Sequence, residues 1–160
     1  MDNSILSNEI YQLWVLLAQT RRALLRLRQT ELNLYGISAK QSALMFAVEH
    51  IADKATIAEI SRWLFLEPHG VSELVTRMEQ KGLVRRVRDL GNKRLVRVNL
   101  TKKGAEICNK SRKLEYVTRI MSCLSENERQ QLASYLYKLR DRALEKLGTK
   151  HKLSYPISNR

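Results

Sequence analysis

Residues 55–104 read ATIAEISRWLFLEPHGVSELVTRMEQKGLVRRVRDLGNKRLVRVNLTKKG, and the fold is decided by how the periodicity changes along this stretch. Thr56 followed three residues later by Glu59 is a helix-start signature, and Ile57, Ile60 and Leu64 then share one face of a short helix running to about Phe65. Pro68 stands where a first helical turn tolerates a residue without an N–H, and it opens a helix that runs to Lys81 and stops at Gly82. Val71, Leu74 and Met78 form the face of that helix that would lock against the first. Beyond Gly82 the period drops to two. The runs 83–88 and 95–100 are rich in β-branched residues, and the second places Val96, Val98 and Leu100 on one face with Leu95, Arg97 and Asn99 on the other. Asp89, Leu90, Gly91, Asn92 and Lys93 between them form a turn cluster. The stretch therefore predicts two short helices joined by a tight turn, followed by a β-hairpin with a basic tip.

Working outward, Ile10, Leu13, Trp14, Leu17, Leu24 and Leu27 recur at helical spacing from Ser7 to about Glu31, with an interruption at Thr20 and Arg21. Gly36 breaks the chain, Ser38 with Gln41 starts a second helix to about His50, and 52–55 connects to the central stretch. On the far side, Thr101 caps a fifth helix with Ile107, Cys108, Leu114, Val117 and Met121 on one side. Ser125 and Glu128 start a sixth, with Leu132, Leu136, Leu139, Ala143 and Leu147 at alternating spacings of four and three, ended by Gly148. Residues 149–160 read as a frayed tail. The expectation is a mainly α fold of six helices with a two-to-three-stranded β-wing.

The 160 residues suffice for one domain with its own core, and 44% are apolar, as in globular proteins. No run of eighteen apolar residues exists, which argues against a membrane span, and the start MDNSILSNEI lacks a signal-peptide pattern, so a cytoplasmic location is expected. Net charge is +13, and its placement is informative. Residues 77–103 carry ten Lys/Arg against two acids, whereas 41–76 carry two against five. A focused positive stretch points to a polyanion. Cys108 and Cys123, fifteen apart in one expected helix, would lie about 22 Å apart along its axis and could not bridge. The bland reading is two buried thiols, although Lys110, Arg112 and Lys113 could lower the Cys108 pKa. His50, His69 and His151 lie far apart without partners at ligand spacing, so neither a metal nor another cofactor is expected. No catalytic triad or phosphate loop is found, which argues against an enzyme. An RNA-binding module is disfavoured because two Phe and six Tyr are scattered rather than gathered into a stacking platform.

A helix after a tight turn fits the major groove of B-form DNA, and a hairpin beside it can carry arginine to an adjacent narrow minor groove. Residues 55–104 closely resemble the core of the MarR family. The resemblance is carried by Leu66-Glu67-Pro68, by Met78-Glu79-Gln80-Lys81-Gly82-Leu83-Val84-Arg85-Arg86, by Arg94 and by Leu100-Thr101-Lys102-Lys103-Gly104. The flanking helices follow the family's layout too.

The resemblance implies a single domain over 1–160 with a winged helix-turn-helix DNA-binding lobe at 38–104. Dimerisation helices would lie at 7–35 and 105–147. It implies a homodimeric, sequence-specific transcriptional regulator, usually a repressor, on a pseudo-palindromic double-stranded operator. A small aromatic or phenolic effector would release it by favouring a dimer geometry whose helix spacing mismatches DNA. The rival reading is a non-specific architectural DNA-binding protein.

The helix from His69 to Lys81 would enter the major groove with Ser72 and Thr76 facing it, and Arg94 would reach the minor groove. Arg62 is a candidate phosphate contact, and so is Arg77 unless it pairs with an acid such as Glu73. Arg85, Arg86, Arg88 and Arg97 together form a phosphate-attracting surface, with Lys93 at the tip. Three positions depart from the family pattern. Asn92 replaces an Asp that orients the wing arginine, Glu73 replaces a neutral or basic residue, and His69-Gly70 stands where Ser or Thr is frequent. A ligand pocket would take Arg21, Trp14, Tyr35, Met45 and Trp63; otherwise Arg21 forms a cross-dimer ion pair or snorkels, and the aromatics are core. Peroxide-sensing members carry a cysteine where this chain has Trp14, which argues against that mode of sensing.

Overall fold

The computed structural model describes residues 8–148 except Leu90 and Lys93. The expectations for Lys93 and for the tail 149–160 therefore lie outside the described residues. Seven α-helices and two strands occur in the order α1 (Glu9–Asn33), α2 (Ala39–Ile51), α3 (Ile57–Leu64), α4 (Pro68–Gln80), β1 (Val84–Arg88), β2 (Val96–Leu100), α5 (Lys102–Ser111), α6 (Glu115–Met121) and α7 (Glu126–Lys146). A 3-10 turn, Ala52–Lys54, links α2 to α3. They divide into two compact units, one ending at Val117 and one beginning at Thr118.

Helix starts follow their caps. Ser38 and Gln41 form a reciprocal capping box on α2, as do Ser125 and Glu128 on α7. At α3 only half of that device exists. Thr56 accepts from the Glu59 N–H at 3.2 Å, but the Glu59 carboxylate turns to Arg62 instead. Helix α4 ends at Gly82, φ +68°, where the Leu83 N–H reaches the Met78 carbonyl at 2.9 Å. That is a Schellman closure, and its left-handed residue suits glycine.

In the first unit α2 is central and packs against α1, α3, α5 and β2. Leu44 and Met45 of α2, Ile60 of α3, and Val71, Val75 and Met78 of α4 are fully buried. Each such side chain stabilises the fold by about 1.5–3 kcal/mol relative to exposure. Of the α3 face, Ile60 is fully buried while Ile57 and Leu64 are half-buried. Strands β1 and β2 pair antiparallel, with Val84 opposite Leu100 and Arg88 opposite Val96. The third strand is reduced to a single bridge between Thr56 and Arg97, with the Val98 N–H donating to the Ala55 carbonyl at 2.7 Å.

The expected fifth helix is two helices. The chain breaks between Ser111 and Glu115, with Leu114 in the left-handed region at φ +49°. Arg28 of α1 donates to the Ser111 carbonyl at the end of α5, and Glu31 accepts from the Glu115 N–H at the start of α6 at 2.7 Å. Side chains of another helix satisfy both open ends, which makes the break tolerable. The helical distance expected between Cys108 and Cys123 therefore does not apply; both thiols are free, and against the expectation of two buried thiols only Cys108 is buried while Cys123 is exposed.

Candidate nucleic-acid interface

Helix α4 is two-faced. It buries Val71, Leu74, Val75 and Met78, and it exposes His69, Glu73, Thr76, Arg77 and Gln80. The exposed positions recur at helical spacing, so one continuous stripe faces outward. The Ser72 side chain is half-buried at its edge. Glu73 pairs with His69 at 3.1 Å rather than with Arg77. Among the described residues Arg77 has no ion-pair partner.

Arg77 instead lines a polar cavity of about 400 Å³ with Lys40 and Lys81, Gln29, Asn33 and Gln41. Three cations face this space and no acid lines it. Sequence reading passed over Lys40 and Lys81. Lys40 lies far from Arg77 along the chain, at the start of α2, whereas Lys81 is one turn beyond it at the end of α4 and stood unremarked among the other cations of 77–103.

Arg86 of β1 does not serve as the free phosphate-attracting group expected of it. Its guanidinium bonds the Glu79 carboxylate at 2.7 Å, the Ser72 carbonyl at 3.1 Å and the Thr76 hydroxyl at 3.0 Å. Its backbone N–H also donates to Glu79 at 2.8 Å, and this bond, with the guanidinium second, holds the Glu79 carboxyl below its ordinary range. Arg86 thus ties α4 to the wing. Arg97 is likewise engaged, with Asp89. Arg62 pairs with Glu59 on an exposed turn. Arg85 and Arg88 remain exposed.

Asp89 organises the wing tip. It accepts from the Gly91 and Asn92 N–H groups at 2.9 and 2.8 Å, and with the Arg97 bond as the largest cause its carboxyl is held low. Asn92 accepts from the backbone N–H of Arg94 at 3.1 Å. The amide thus shapes the turn that presents Arg94, whose side chain is exposed. The wing's base is fixed at α5. Thr101 donates to the Gly82 carbonyl at 2.6 Å and accepts from the Gly104 N–H at 3.0 Å.

A second cavity, about 560 Å³, is walled by Arg21, Arg22, Leu25 and Arg26 of α1, by Lys40 and Ala43 of α2, and by Leu64 and Leu66. Of the five pocket residues expected, Arg21 alone lines it. Met45 is fully buried in the core on α2. Trp63 packs on Phe46 and His50, at ring-centroid distances of 5.6 and 5.9 Å. Trp14 is exposed on α1, and Tyr35 is half-buried away from the cavity wall. Cys108 is buried, and burial pushes its thiol pKa up rather than down.

The sequence profile of the MarR family matches residues 35–95. YsmB, an uncharacterised HTH-type transcriptional regulator of Bacillus subtilis (strain 168), is 28% identical over 99 residues, covering 61% of this chain and 67% of YsmB. The organohalide-sensing RdhR-CbdbA1625 transcriptional regulator, solved in its 2,4-dichlorophenol-bound form, superposes with a TM-score of 0.84 at 27% identity. That match covers 99% of this chain and 96% of the regulator. A mutant MarR from E. coli, solved with operator DNA, superposes with a TM-score of 0.75 at 26% identity over 82% of this chain and 96% of its own. The profile is centred on the helix-turn-helix and wing just described, and over that stretch the chain is similar to the MarR family.

Proposed function

We propose that this protein is a sequence-specific, double-stranded-DNA-binding transcriptional regulator that acts as a homodimer, represses at a pseudo-palindromic operator and works in the cytoplasm. The observation that carries the reading is the outward stripe of α4 beside a hairpin that holds Arg94 exposed, with Arg77, Lys40 and Lys81 gathered around the helix's C-terminal end. A helix of this kind seats in the major groove while flanking cations neutralise phosphates. The related MarR bound to operator DNA supports the same partner for this chain. Among the described residues no helix is long and apolar enough to cross a membrane. Catalysis has no place in this reading, since the relatives are regulators.

Two apolar faces support the dimer. Helix α1 exposes Ile10, Leu13, Trp14 and Leu17, and α7 exposes Leu132, Tyr135, Leu136 and Leu139. Runs of exposed apolar side chains of this kind mark interaction surfaces, and a second copy would cover them. The larger cavity is the proposed effector site. Its wall joins apolar Leu25, Ala43, Leu64 and Leu66 to four cations, which suits a phenolate or other organic anion with an apolar body. The chlorophenol held by the related regulator belongs to that class.

Fluorescence anisotropy on the protein's own upstream duplex, with random duplex as competitor, tests the reading. Specific binding that weakens by about a thousandfold between roughly 50 and 200 mM salt is expected. Equal binding to random DNA would favour the architectural rival, and salt-independent affinity would defeat both. Adding 2,4-dichlorophenol should release the duplex, and an Arg26→Gln variant should need more of it.

A further inference from the structure

We infer that Thr76 reads DNA through its methyl group, selecting a thymine C5-methyl in the major groove, and that it donates no hydrogen bond to a base. The inference rests on the proposed DNA-binding role of α4 and names what one of its residues recognises.

A threonine hydroxyl has one proton and two lone pairs. Thr76 gives its proton to the Ser72 carbonyl at 3.0 Å, one turn back along α4. One lone pair is taken by the Arg86 guanidinium at 3.0 Å. Arg86 is itself held in place, since Glu79 binds both its guanidinium, at 2.7 Å, and its backbone N–H, at 2.8 Å. The same guanidinium nitrogen also bonds the Ser72 carbonyl at 3.1 Å. The hydroxyl is thus engaged by the protein on both counts, at the exposed surface of α4. With its proton spent, Oγ1 can offer a base one remaining lone pair but no donor, and the methyl carbon is the apolar substituent of Cβ that meets a ligand.

Guanine presents two acceptors in the major groove, and a donor is what they require. Thr76 could supply one only by breaking its bond to Ser72. Thymine presents an apolar methyl, against which the threonine methyl packs without disturbing the network. Arg86 is therefore a positioning residue for base recognition, acting through Thr76.

The test begins by selecting a preferred duplex from a random library with the full chain, then replacing each thymine by deoxyuridine. One symmetry-related thymine pair should prove sensitive, with about a fourfold loss per thymine, the effect of exposing one methyl group. Thr76→Val, which keeps a methyl and lacks the hydroxyl, should bind within about twofold of the parent and retain that sensitivity. Thr76→Ser, which keeps the hydroxyl and lacks the methyl, should bind more weakly and be indifferent to deoxyuridine at that position. A tenfold loss in Thr76→Val with parental binding by Thr76→Ser would overturn the inference. So would a selected duplex in which no deoxyuridine effect depends on residue 76. A library that yields no enriched duplex removes the sequence-specific reading itself, and this inference with it.

Discussion

Arg28 and Glu31 stand one turn apart on α1, and between them they close the two open ends of the break between α5 and α6. Arg28 takes the last carbonyl of α5, at Ser111, and Glu31 takes the first N–H of α6, at Glu115. The two also pair with each other, with side chains only 13% and 7% exposed. Ser42 of α2 lies within 3.5 Å of the same guanidinium. Both ends of the break are thus held from α1.

Removing one member of a buried pair leaves the other charged and unpartnered, at a cost of about 3–5 kcal/mol. Glu31→Ala should therefore lower the unfolding free energy by roughly 3 kcal/mol in urea titrations. The Arg28→Leu/Glu31→Leu double variant should lose less than the sum of its single changes. Additive losses would show that the two side chains do not act as a unit.

Gly104 sits where α5 meets the end of α4. A Cβ built there would lie 1.9 Å from the Leu83 carbonyl oxygen, a backbone atom with no freedom to swing aside. The same carbonyl accepts from the Thr101 N–H at 3.1 Å, so moving it would disturb the wing's base. Gly104→Ala should lower stability by about 1–3 kcal/mol, read as a drop in melting temperature. An unchanged melting temperature would mean the approach is looser than the structure shows.

Most of this architecture was legible in the sequence because its signals are local. Ser38 with Gln41, Ser125 with Glu128, Pro68, Gly82 and Thr101 each mark a helix end within a few residues of it. The α5–α6 break was illegible for the opposite reason. It falls at Leu114, not at a glycine, and its caps come from residues more than eighty positions away. Charge counting misjudged the site in a similar way. Arg85 and Arg86 are indistinguishable by composition, yet Glu79 takes one and leaves the other exposed. Apart from Arg21, the expected cavity residues are Met45 and aromatics at helical spacing. Such spacing marks a core face as readily as a pocket, and Met45 and Trp63 proved to be core.

Glu79 gives the link between α4 and the wing a pH dependence of definite sign. Its folded pKa lies below the ordinary 4.5, chiefly through the Arg86 backbone N–H. Its contribution is therefore full above 4.5 and is lost as pH falls through the lower folded value. The side chain is 39% exposed, so solvent screening keeps the effect small, about 0.5 kcal/mol. The difference in unfolding free energy between the parent and Glu79→Gln should be constant above about pH 5.5 and shrink as pH falls below the ordinary 4.5. A gap that widens on acidification would contradict the assignment.

Cys108 should be chemically quiet. Burial raises its thiol pKa, and its sulfur lies 3.7 Å from the Glu49 carboxylate, which further disfavours thiolate. In a Cys123→Ser background, Ellman's reagent should find no reactive thiol in the native protein and one after denaturation. Rapid native labelling would reopen a redox role.

The cations divide into those that hold the fold and those free to meet a polyanion, and salt dependence separates them. Lys40 and Lys81 flank Arg77 around one concave surface without a lining acid, whereas Arg86 and Arg97 are bound to Glu79 and Asp89. Each cation that neutralises a phosphate contributes about 0.9 to the slope of log affinity against log salt. Lys40→Gln/Lys81→Gln should therefore flatten that slope by about 1.8 on specific and random duplexes alike, leaving sequence preference intact. Arg94→Ala should lose at least about tenfold in affinity at an unchanged melting temperature, since its side chain is exposed and supports nothing in the wing. Arg97→Ala should lower the melting temperature, because Asp89 loses the partner that helps it hold the wing tip. The division fails if Arg97→Ala flattens the slope at unchanged stability, or if the lysine pair leaves the slope as it was.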